Sequence, residues 1–273
     1  MEFVSDLEQF GRVGTEVALE AGRLLMDRLH TDFAVSRKGD INLVTEVDLA
    51  AEQLIVSRLR DAFPGHSILA EENHPHPSPG AYTWIVDPLD GTTNYIHGFP
   101  FFAVSIGLEI DGEVEWGVVY NPNLEEIFTA QRGRGAWLNG APLRVSQTDS
   151  LSASLLATGF PYDIRICRNN NLEYFRAFSL RSQAVRRAGS AALDFCYLAA
   201  GRFDGYWELK LHPWDCAAGY LMVREAGGMV TRLDGSPGTI YDREFVASNG
   251  LIHDQMLAVI REMAALTTPR SCS

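Results

Sequence analysis

The stretch WIVDPLDGTTN, from Trp84 to Asn94, joins an apolar run to two aspartates three residues apart. The apolar part is typical of a buried β-strand, whereas Asp-Pro and Asp-Gly pairs are typical of turns. A turn would account for Asp87 and Asp90 taken alone. If other carboxylates lie beside them, the concentrated negative charge favours a bound cation instead.

Further carboxylates occupy comparable positions elsewhere in the chain. Glu71 and Glu72 end the run SILAEE, Asp48 ends LVTEVD, and Asp215 lies in HPWDCAAGYL. Each lies at a predicted strand end or helix start. N-capping of the following helix is the alternative explanation for Asp48 and Asp215. Strands that end with Glu71 and Asp87 at one sheet edge would bring their carboxylates together.

The residues DGTTN add a place for an anion. Gly91 lets the backbone approach a ligand closely, and if Thr92 and Thr93 open a short helix, their amides form its positive end. Mg²⁺ prefers carboxylate, carbonyl and phosphate oxygens. The pattern therefore predicts a magnesium site and a phosphate site that share one loop.

The periodicity of the chain changes near Ser146. Before it, the spacing predicts a long helix over residues 4–29, a second helix from about Leu49 to Phe63, and then a largely antiparallel sheet. The strands of that sheet are SILAEE, YTWIVD, FFAVSIGLEI, EVEWGVVYN and EEIFTAQR. After it, strands alternate with helices: SASLLATG, FDGYWE and GMVTRL as strands, with helices near 171–182, near 190–200, from Ala217 to Ala226 and at the end.

We therefore expect an α+β half over residues 1–146, which carries most of the candidate metal ligands, and an α/β half over residues 147–273, which completes the site. No linker-like composition separates the two halves, so close packing between them is expected. The segment HPHPSPG at residues 74–80 has two histidines, but its prolines favour a surface loop over a metal site.

Composition excludes several classes of function. With a net charge of -12 and no basic run, a general nucleic-acid binder is not expected. No apolar run approaches the roughly 18 residues of a membrane helix, so a cytoplasmic protein without a membrane partner is expected. The cysteines form no Cys-x-x-Cys pair, which favours reduced structural thiols at Cys167, Cys196, Cys216 and Cys272.

Two longer motifs resemble a known family. WIVDPLDGTTNYIHGFPFFAVSIGLE together with WDCAAGYLMVREAGG is similar to the two signatures of the inositol monophosphatase family, within the superfamily of Mg²⁺-dependent, lithium-sensitive phosphatases. The segments GDINLVTEVDLAAEQLI, VVYNPNLEEIFTA and RRAGSAALDFCYLAAGRFDGYWE extend the resemblance over roughly residues 5 to 265. It implies a layered αβαβα sandwich of the sugar-phosphatase type, usually assembled as a homodimer.

The resemblance also implies a cofactor of two to three Mg²⁺ ions. Glu71, Asp87 and the Leu89 carbonyl would bind the first ion, and Asp87, Asp90 and Asp215 the second. A third ion, held more weakly, would lie near Glu71. Glu71 would thus belong to both the metal site and the catalytic group.

Other roles follow from the resemblance alone. Thr92, hydrogen-bonded to Asp48, would orient and deprotonate the attacking water, and the Gly91 and Thr92 amides would hold the phosphate. The substrate contacts would be Asp90, Gly91, Thr92, Gly189, Ser190, Ala191 and Glu208. Glu72 and Thr45 would support the ligands, and Lys38 would belong to a lid over the metals.

Alternatives remain for two of these substrate contacts. Ser190 could be only the N-cap of the helix that follows it. Glu208 could be only a solvated charge on a strand. Both alternatives stay open at the level of the sequence.

The expected activity is hydrolysis of inositol 1-phosphate and related polyol phosphates. Relatives use nearly the same metal ligands on fructose 1,6-bisphosphate, 3'-phosphoadenosine 5'-phosphate or histidinol phosphate, and the Thr93-Asn94 pair favours the inositol branch. A second hypothesis is a binding role with the bacterial transcription machinery, known for some relatives. A basic patch of Arg181, Arg186 and Arg187 could serve that role or line a dimer interface.

Overall fold

The computed structural model describes residues 2–38, 42–73 and 80–266. It begins with helix α1 (Glu2–Arg28), strands β1 (Val35–Arg37) and β2 (Leu43–Thr45), which pair antiparallel, and helix α2 (Glu46–Ala62). Both predicted N-terminal helices are therefore present, and α2 begins three residues before the predicted start at Leu49. Residues 74–79, with both histidines of HPHPSPG, and Cys272 lie outside the described residues.

A seven-stranded sheet follows α2. Its strands, in the order in which they pair, are β3 (Ser67–Ala70), β4 (Tyr82–Asp90), β5 (Ala103–Ile110), β6 (Glu113–Asn121), β7 (Glu126–Gln131), β8 (Gly135–Leu138) and β9 (Ala141–Pro142). The short helix α3 (Thr92–Ile96) comes directly after β4. Only β3 and β4 are parallel, and the other neighbours are antiparallel, so the predicted largely antiparallel sheet is confirmed.

The remaining chain contains the predicted strands and helices, and two strands that the sequence did not predict, Ala184–Arg186 and Glu244–Ser248. After a 3₁₀ turn (Leu151–Ala153) come β10 (Leu155–Thr158), α4 (Leu172–Ser179), β11 (Ala184–Arg186), α5 (Ala191–Ala199), β12 (Gly205–Leu209), α6 (Pro213–Glu225), β13 (Met229–Thr231), β14 (Glu244–Ser248) and α7 (His253–Leu266). The strand order is β11-β10-β12-β14-β13. Strand β10 is parallel to both of its neighbours, whereas β14 is antiparallel to both of its own.

The hydrophobic core is divided into three layers of buried side chains. Helices α1 and α2 pack on one face of the seven-stranded sheet. Helices α5 and α6 lie between the two sheets. Helices α4 and α7 cover the outer face of the five-stranded sheet. The order of layers is αβαβα, so the predicted architecture is confirmed, while the division near residue 146 stays a prediction.

Helix α6 approaches the seven-stranded sheet unusually closely. Gly107 and Gly117 lie opposite each other on β5 and β6, and a Cβ atom at Gly117 would be 2.9 Å from the Ala218 Cα atom. Only glycine fits there without a backbone shift. This close approach brings the start of α6, with Asp215, towards the carboxyl end of β4.

The cysteines differ in part from the sequence-based expectation. Cys196 and Cys216 are free and buried, as expected for structural thiols. Cys167 is disulfide-bonded, so the prediction of a reduced thiol is wrong at this position. Such pairing depends on which chain segments meet in three dimensions, which cysteine spacing does not specify. None of the described helices is long and apolar enough to span a bilayer.

Candidate active site

The candidate ligands and contacts converge on one cavity of about 540 Å³. The predicted residues that line it are Lys38, Glu71, Asp87, Leu89, Asp90, Gly91, Thr92, Gly189, Ser190, Ala191, Glu208 and Asp215. Asp48 and Glu72 are not part of its wall but contact Thr92 and Lys38, which are, and Thr45 contacts Asp48. Residues from both halves of the chain therefore form the cavity.

An irregularity in β4 places Asp87 and Asp90 together. Asp87 pairs with Ser105 of β5 and Asp90 with Ala103. Strand β4 therefore advances by three residues where β5 advances by two. Side chains three apart on a regular strand point to opposite faces, whereas a bulge restores them to the same face. The turn explanation for these aspartates is wrong, because the strand continues through Asp90.

Glu71 lies beside Asp87 because β3 and β4 are parallel. The Glu71 amide donates to the Val86 carbonyl (3.2 Å), which continues the ladder one residue past β3. Lys38 Nζ donates to Glu71 Oε1 at 3.0 Å and to Glu72 Oε1 at 2.5 Å. The predicted lid lysine thus contacts the carboxylate that is also the candidate metal ligand.

Glu52 fixes the turn that carries these glutamates, and the sequence analysis missed it. Its carboxylate is fully buried and accepts hydrogen bonds from the Glu72 amide (2.7 Å) and the Asn73 amide (2.8 Å). The signal in the sequence was a glutamate on the apolar face of α2. Such a residue is buried only if it has partners, because an unpaired buried charge is costly.

Asp48 belongs to a capping box at the start of α2. The N-cap is Thr45, whose hydroxyl accepts from the Asp48 amide (3.3 Å). Asp48 Oδ2 accepts in return from the Thr45 amide (2.9 Å), and Asp48 Oδ1 accepts from the Thr92 hydroxyl (2.9 Å). The N-cap explanation for Asp48 is therefore wrong, since Asp48 is the third helical residue. The hydrogen bond between Thr92 and Asp48 is present.

Asp215 has the corresponding position at the start of α6. His212 is the N-cap and Pro213 is the first helical residue. Asp215 Oδ2 accepts from the His212 amide at 2.6 Å. The N-cap explanation is again wrong by three positions. Helix α6 begins four residues before the predicted start at Ala217, because proline is favoured at the first helical position.

Asp90 connects the two halves of the chain at the cavity. Its Oδ2 accepts from the Ser190 hydroxyl (2.6 Å) and from the Ala192 amide (2.7 Å). Ser190 is also the N-cap of α5, since its hydroxyl accepts from the Leu193 amide (3.3 Å). The N-cap alternative for Ser190 is thus correct as far as it goes, but the same hydroxyl also positions Asp90.

Asn94 holds the adjacent loop against α3, a contact that the sequence did not indicate. Its amide nitrogen donates to the carbonyls of Phe101 (2.7 Å) and Ala188 (2.9 Å). Gly91 has a φ of 98°, and a Cβ atom there would lie 3.0 Å from the Phe101 oxygen. Glycine is required at this position because the backbone is left-handed and tightly enclosed.

Burial and the neighbouring negative charges raise the pKa values of the cavity carboxylates. Burial, followed by the negative charge of Glu71, raises the pKa of Asp87 and of Asp215 well above the usual range. Burial raises the pKa of Asp90 to about 6, although hydrogen bonds from Ser190 oppose the increase. Burial also raises the pKa of Glu71, against the nearby Lys38. Opposite charge brought into the cavity would relieve this repulsion.

Glu208 is not simply a solvated charge. It lies on β12, lines the cavity, and accepts a hydrogen bond from the Tyr206 hydroxyl at Oε2 (2.5 Å). Burial raises its pKa to about 7. The solvated-charge alternative for Glu208 is therefore wrong, because β12 directs this side chain into the cavity wall.

The profile of the inositol monophosphatase family matches residues 6–265. The chain belongs to the inositol monophosphatase family. The expected family, fold and enzyme class, a phosphoric monoester hydrolase, are thereby confirmed. The phosphatases of this family are in general magnesium-dependent.

Individual relatives agree with this assignment. An inositol-1-monophosphatase from Synechocystis is 43% identical over 254 residues, covering 92% of this chain and 88% of the relative. A protein from Pseudomonas aeruginosa named Nus factor SuhB is 45% identical over 257 residues, covering 91% and 94%. A solved inositol monophosphatase from Anabaena has a TM-score of 0.85 at 43% identity, covering 94% of this chain and 97% of that one.

Proposed function

We propose that this protein hydrolyses inositol 1-phosphate and related polyol phosphates to the free alcohol and inorganic phosphate, with two to three Mg²⁺ ions as cofactor. The observation that carries the proposal is the convergence of Glu71, Asp87, Asp90 and Asp215 on one cavity that also contains Thr92. The inositol-1-monophosphatase relative supports the choice of substrate.

The donor set fits magnesium. Among the described residues, no three His, Cys, Asp or Glu side chains are arranged to hold a metal ion by themselves. Mg²⁺ does not require such a cage, because it keeps several waters and uses one or two carboxylates together with substrate phosphate. Glu71, Asp87, Asp90, Asp215 and the Leu89 carbonyl would supply the protein oxygens. When bound, the metal would lower the pKa of water and neutralise charge on the phosphate.

Thr92 and Asp48 would accept the proton of the attacking water. The Thr92 hydroxyl donates to Asp48, so its oxygen can accept a hydrogen bond from a water in the cavity. As that water attacks phosphorus, its proton would pass to Thr92 while the Thr92 proton moves to Asp48. The buried Asp48 can take the proton, because burial raises its pKa despite hydrogen bonds from Thr45.

Substrate would be positioned by groups on either side of the metal ligands. The amides of Gly91 and Thr92 lie at the start of α3, where they lack acceptors within the helix and can bind phosphate oxygens. Gly189, Ser190, Ala191 and Glu208 line the same cavity and would contact the alcohol. The Glu208 carboxylate would accept hydrogen bonds from hydroxyl groups of a polyol.

Phosphate release from four esters tests this function: inositol 1-phosphate, fructose 1,6-bisphosphate, 3'-phosphoadenosine 5'-phosphate and histidinol phosphate, each with Mg²⁺ and with EDTA. We expect Mg²⁺-dependent preference for inositol 1-phosphate. Asp90→Asn should abolish turnover, whereas Asp61→Asn, an exposed aspartate on α2, should retain it. Preference for another ester would overturn the substrate assignment, and no release from any ester would overturn the activity.

A binding role in transcription is a second candidate, suggested by the Pseudomonas relative named Nus factor SuhB. Arg186 and Arg187 are exposed, whereas Arg181 is half-buried and paired with Glu262 at 2.7 Å. The two exposed arginines would therefore form the contact, either with the transcription machinery or with a second copy of this chain. Capture of RNA polymerase from a bacterial lysate, compared between the native chain and Arg186→Glu/Arg187→Glu, tests the first; light scattering tests the second.

A further inference from the structure

Asp194, on the first turn of α5, has a buried carboxyl group that lacks a hydrogen-bond partner at one oxygen. Its side chain is 1% exposed, and its Oδ1 has no hydrogen-bond partner among the described residues. Asp194 nevertheless lines the active-site cavity. A buried carboxyl oxygen that makes no hydrogen bond destabilises the fold, so its presence needs another explanation.

Asp204 shows what a structural aspartate looks like in the same half of the chain. It is 7% exposed, and both of its oxygens have partners: Oδ1 accepts from the Ser146 hydroxyl (2.6 Å) and Oδ2 from the Leu155 amide (2.7 Å). Asp204 does not line the cavity. The contrast indicates that Asp194 is not kept for the stability of the fold.

The neighbours of Asp194 define the chemistry that it faces. Burial raises its pKa well above the usual range, and the negative charges of Glu208 and Asp90 act in the same direction, while Arg187 opposes them. Glu208 and Arg187 line the same cavity. We call the part of the cavity formed by Asp194, Glu208 and Arg187 the alcohol end. Its groups are hydrogen-bonding groups, which suit an uncharged ligand with several hydroxyls.

We propose that Asp194 is a specificity-determining residue, whose carboxyl group forms a hydrogen bond with a hydroxyl of the polyol beside Glu208. This inference rests on the proposed function and adds a residue to its substrate site. A hydroxyl group can donate and accept, so it satisfies Asp194 in either protonation state. A substrate without such a hydroxyl would leave the buried carboxyl unpaired and would bind less well.

The test compares inositol 1-phosphate with p-nitrophenyl phosphate, whose alcohol part has no aliphatic hydroxyl. The measured quantity is the ratio of kcat/KM for the two esters, determined with Mg²⁺. Asp194→Ala should lower this ratio about 10-fold or more in comparison with the native chain, because one hydrogen bond to the polyol is lost. Asp194→Asn should restore much of the ratio, since an amide can still donate and accept.

Stability and a matched variant separate this role from a structural one. The Tm of Asp194→Ala should be no lower than that of the native chain, whereas Asp204→Ala should lower Tm and leave the ratio unchanged. The proposal is overturned if Asp194→Ala reduces both esters equally, if it leaves the ratio unchanged, or if its Tm falls as for Asp204→Ala.

Binding measurements keep this result distinct from the proposed function. Failure of the proposed function appears as no turnover of inositol 1-phosphate by the native chain. The same comparison is then made with the Kd values of the two esters from calorimetry, which require no turnover. A Kd ratio that is unaffected by Asp194→Ala would overturn the proposal in that case also.

Discussion

The starts of α2 and α6 share one local motif, but only the aspartate of α6 lines the cavity. In each, an aspartate at the third helical position accepts from the backbone amide of the N-cap residue, Thr45 for Asp48 and His212 for Asp215. Both oxygens of Asp48 are occupied, because Thr92 donates to the second one. The Asp215 carboxylate accepts only this one hydrogen bond among the described residues, at Oδ2.

In the proposed function, this difference separates a proton acceptor, Asp48, from a metal ligand, Asp215. A carboxylate whose oxygens all have protein donors is fixed in place and has little capacity left for a cation. A carboxylate with one free oxygen is oriented by its helix start and can still coordinate a metal. The capping motif therefore sets the direction of the side chain, and the neighbouring elements decide its chemistry.

The largest expected effect is that of Asp215→Asn. The amide keeps the shape and can still accept from the His212 amide, so the start of α6 should be preserved. A metal ligand is lost, and kcat/KM should fall about 10³-fold, equivalent to several kcal/mol of transition-state stabilisation. The increase in Tm that Mg²⁺ gives the native chain should also become smaller, because one of the proposed ions loses a ligand. Retention of more than a tenth of the activity would contradict the ligand assignment.

A smaller and different effect is expected of Asp48→Asn. Removing the proton acceptor behind Thr92 should lower kcat about 10- to 100-fold. Because Asp48 is not a metal ligand in this proposal, the increase in Tm with Mg²⁺ should match that of the native chain. Thermal unfolding over a range of Mg²⁺ concentrations measures it. If Asp48→Asn and Asp215→Asn lost the Mg²⁺ response equally, the distinction between the two helix starts would fail.

The smallest effect, on stability, concerns a cavity carboxylate that no helix start orients. Burial raises the pKa of Glu208 from its usual 4.5 to about 7. Its contribution to stability is therefore fully present below about pH 4.5 and is lost as pH rises through about 7. Between these limits the free energy of unfolding of the native chain should fall by about 1 to 3 kcal/mol relative to Glu208→Gln.

Urea unfolding at several pH values, in EDTA, measures this difference. Glu8→Gln, which changes an exposed glutamate on α1, is the control and should run parallel to the native chain. Parallel curves for Glu208→Gln as well would show that the cavity solvates Glu208 in the folded state. A cavity carboxylate that no helix start orients would then cost the fold no more stability than one that a helix start orients.

Much of the fold could be predicted because its signals are local. Short β-rich runs between turn signals identified the antiparallel strands, and helical spacing identified α1 and α2. The helix starts were less predictable. Asp48 and Asp215 were both considered as N-caps, although the true caps lie three residues earlier, at Thr45 and His212. Capping depends on a few dihedral angles that composition does not fix.

The candidate site also has features that the sequence predicts and features that it does not. The sequence by itself determined which carboxylates follow strands and that DGTTN opens a helix, because these follow from chain direction and turn chemistry over a few residues. Only the tertiary structure decided that the bulge in β4 turns Asp87 and Asp90 to one face, that Glu52 fixes the Glu72 turn, and that Asp194 lies in the cavity wall. Those features depend on register and packing between segments far apart in the chain, which no local pattern specifies.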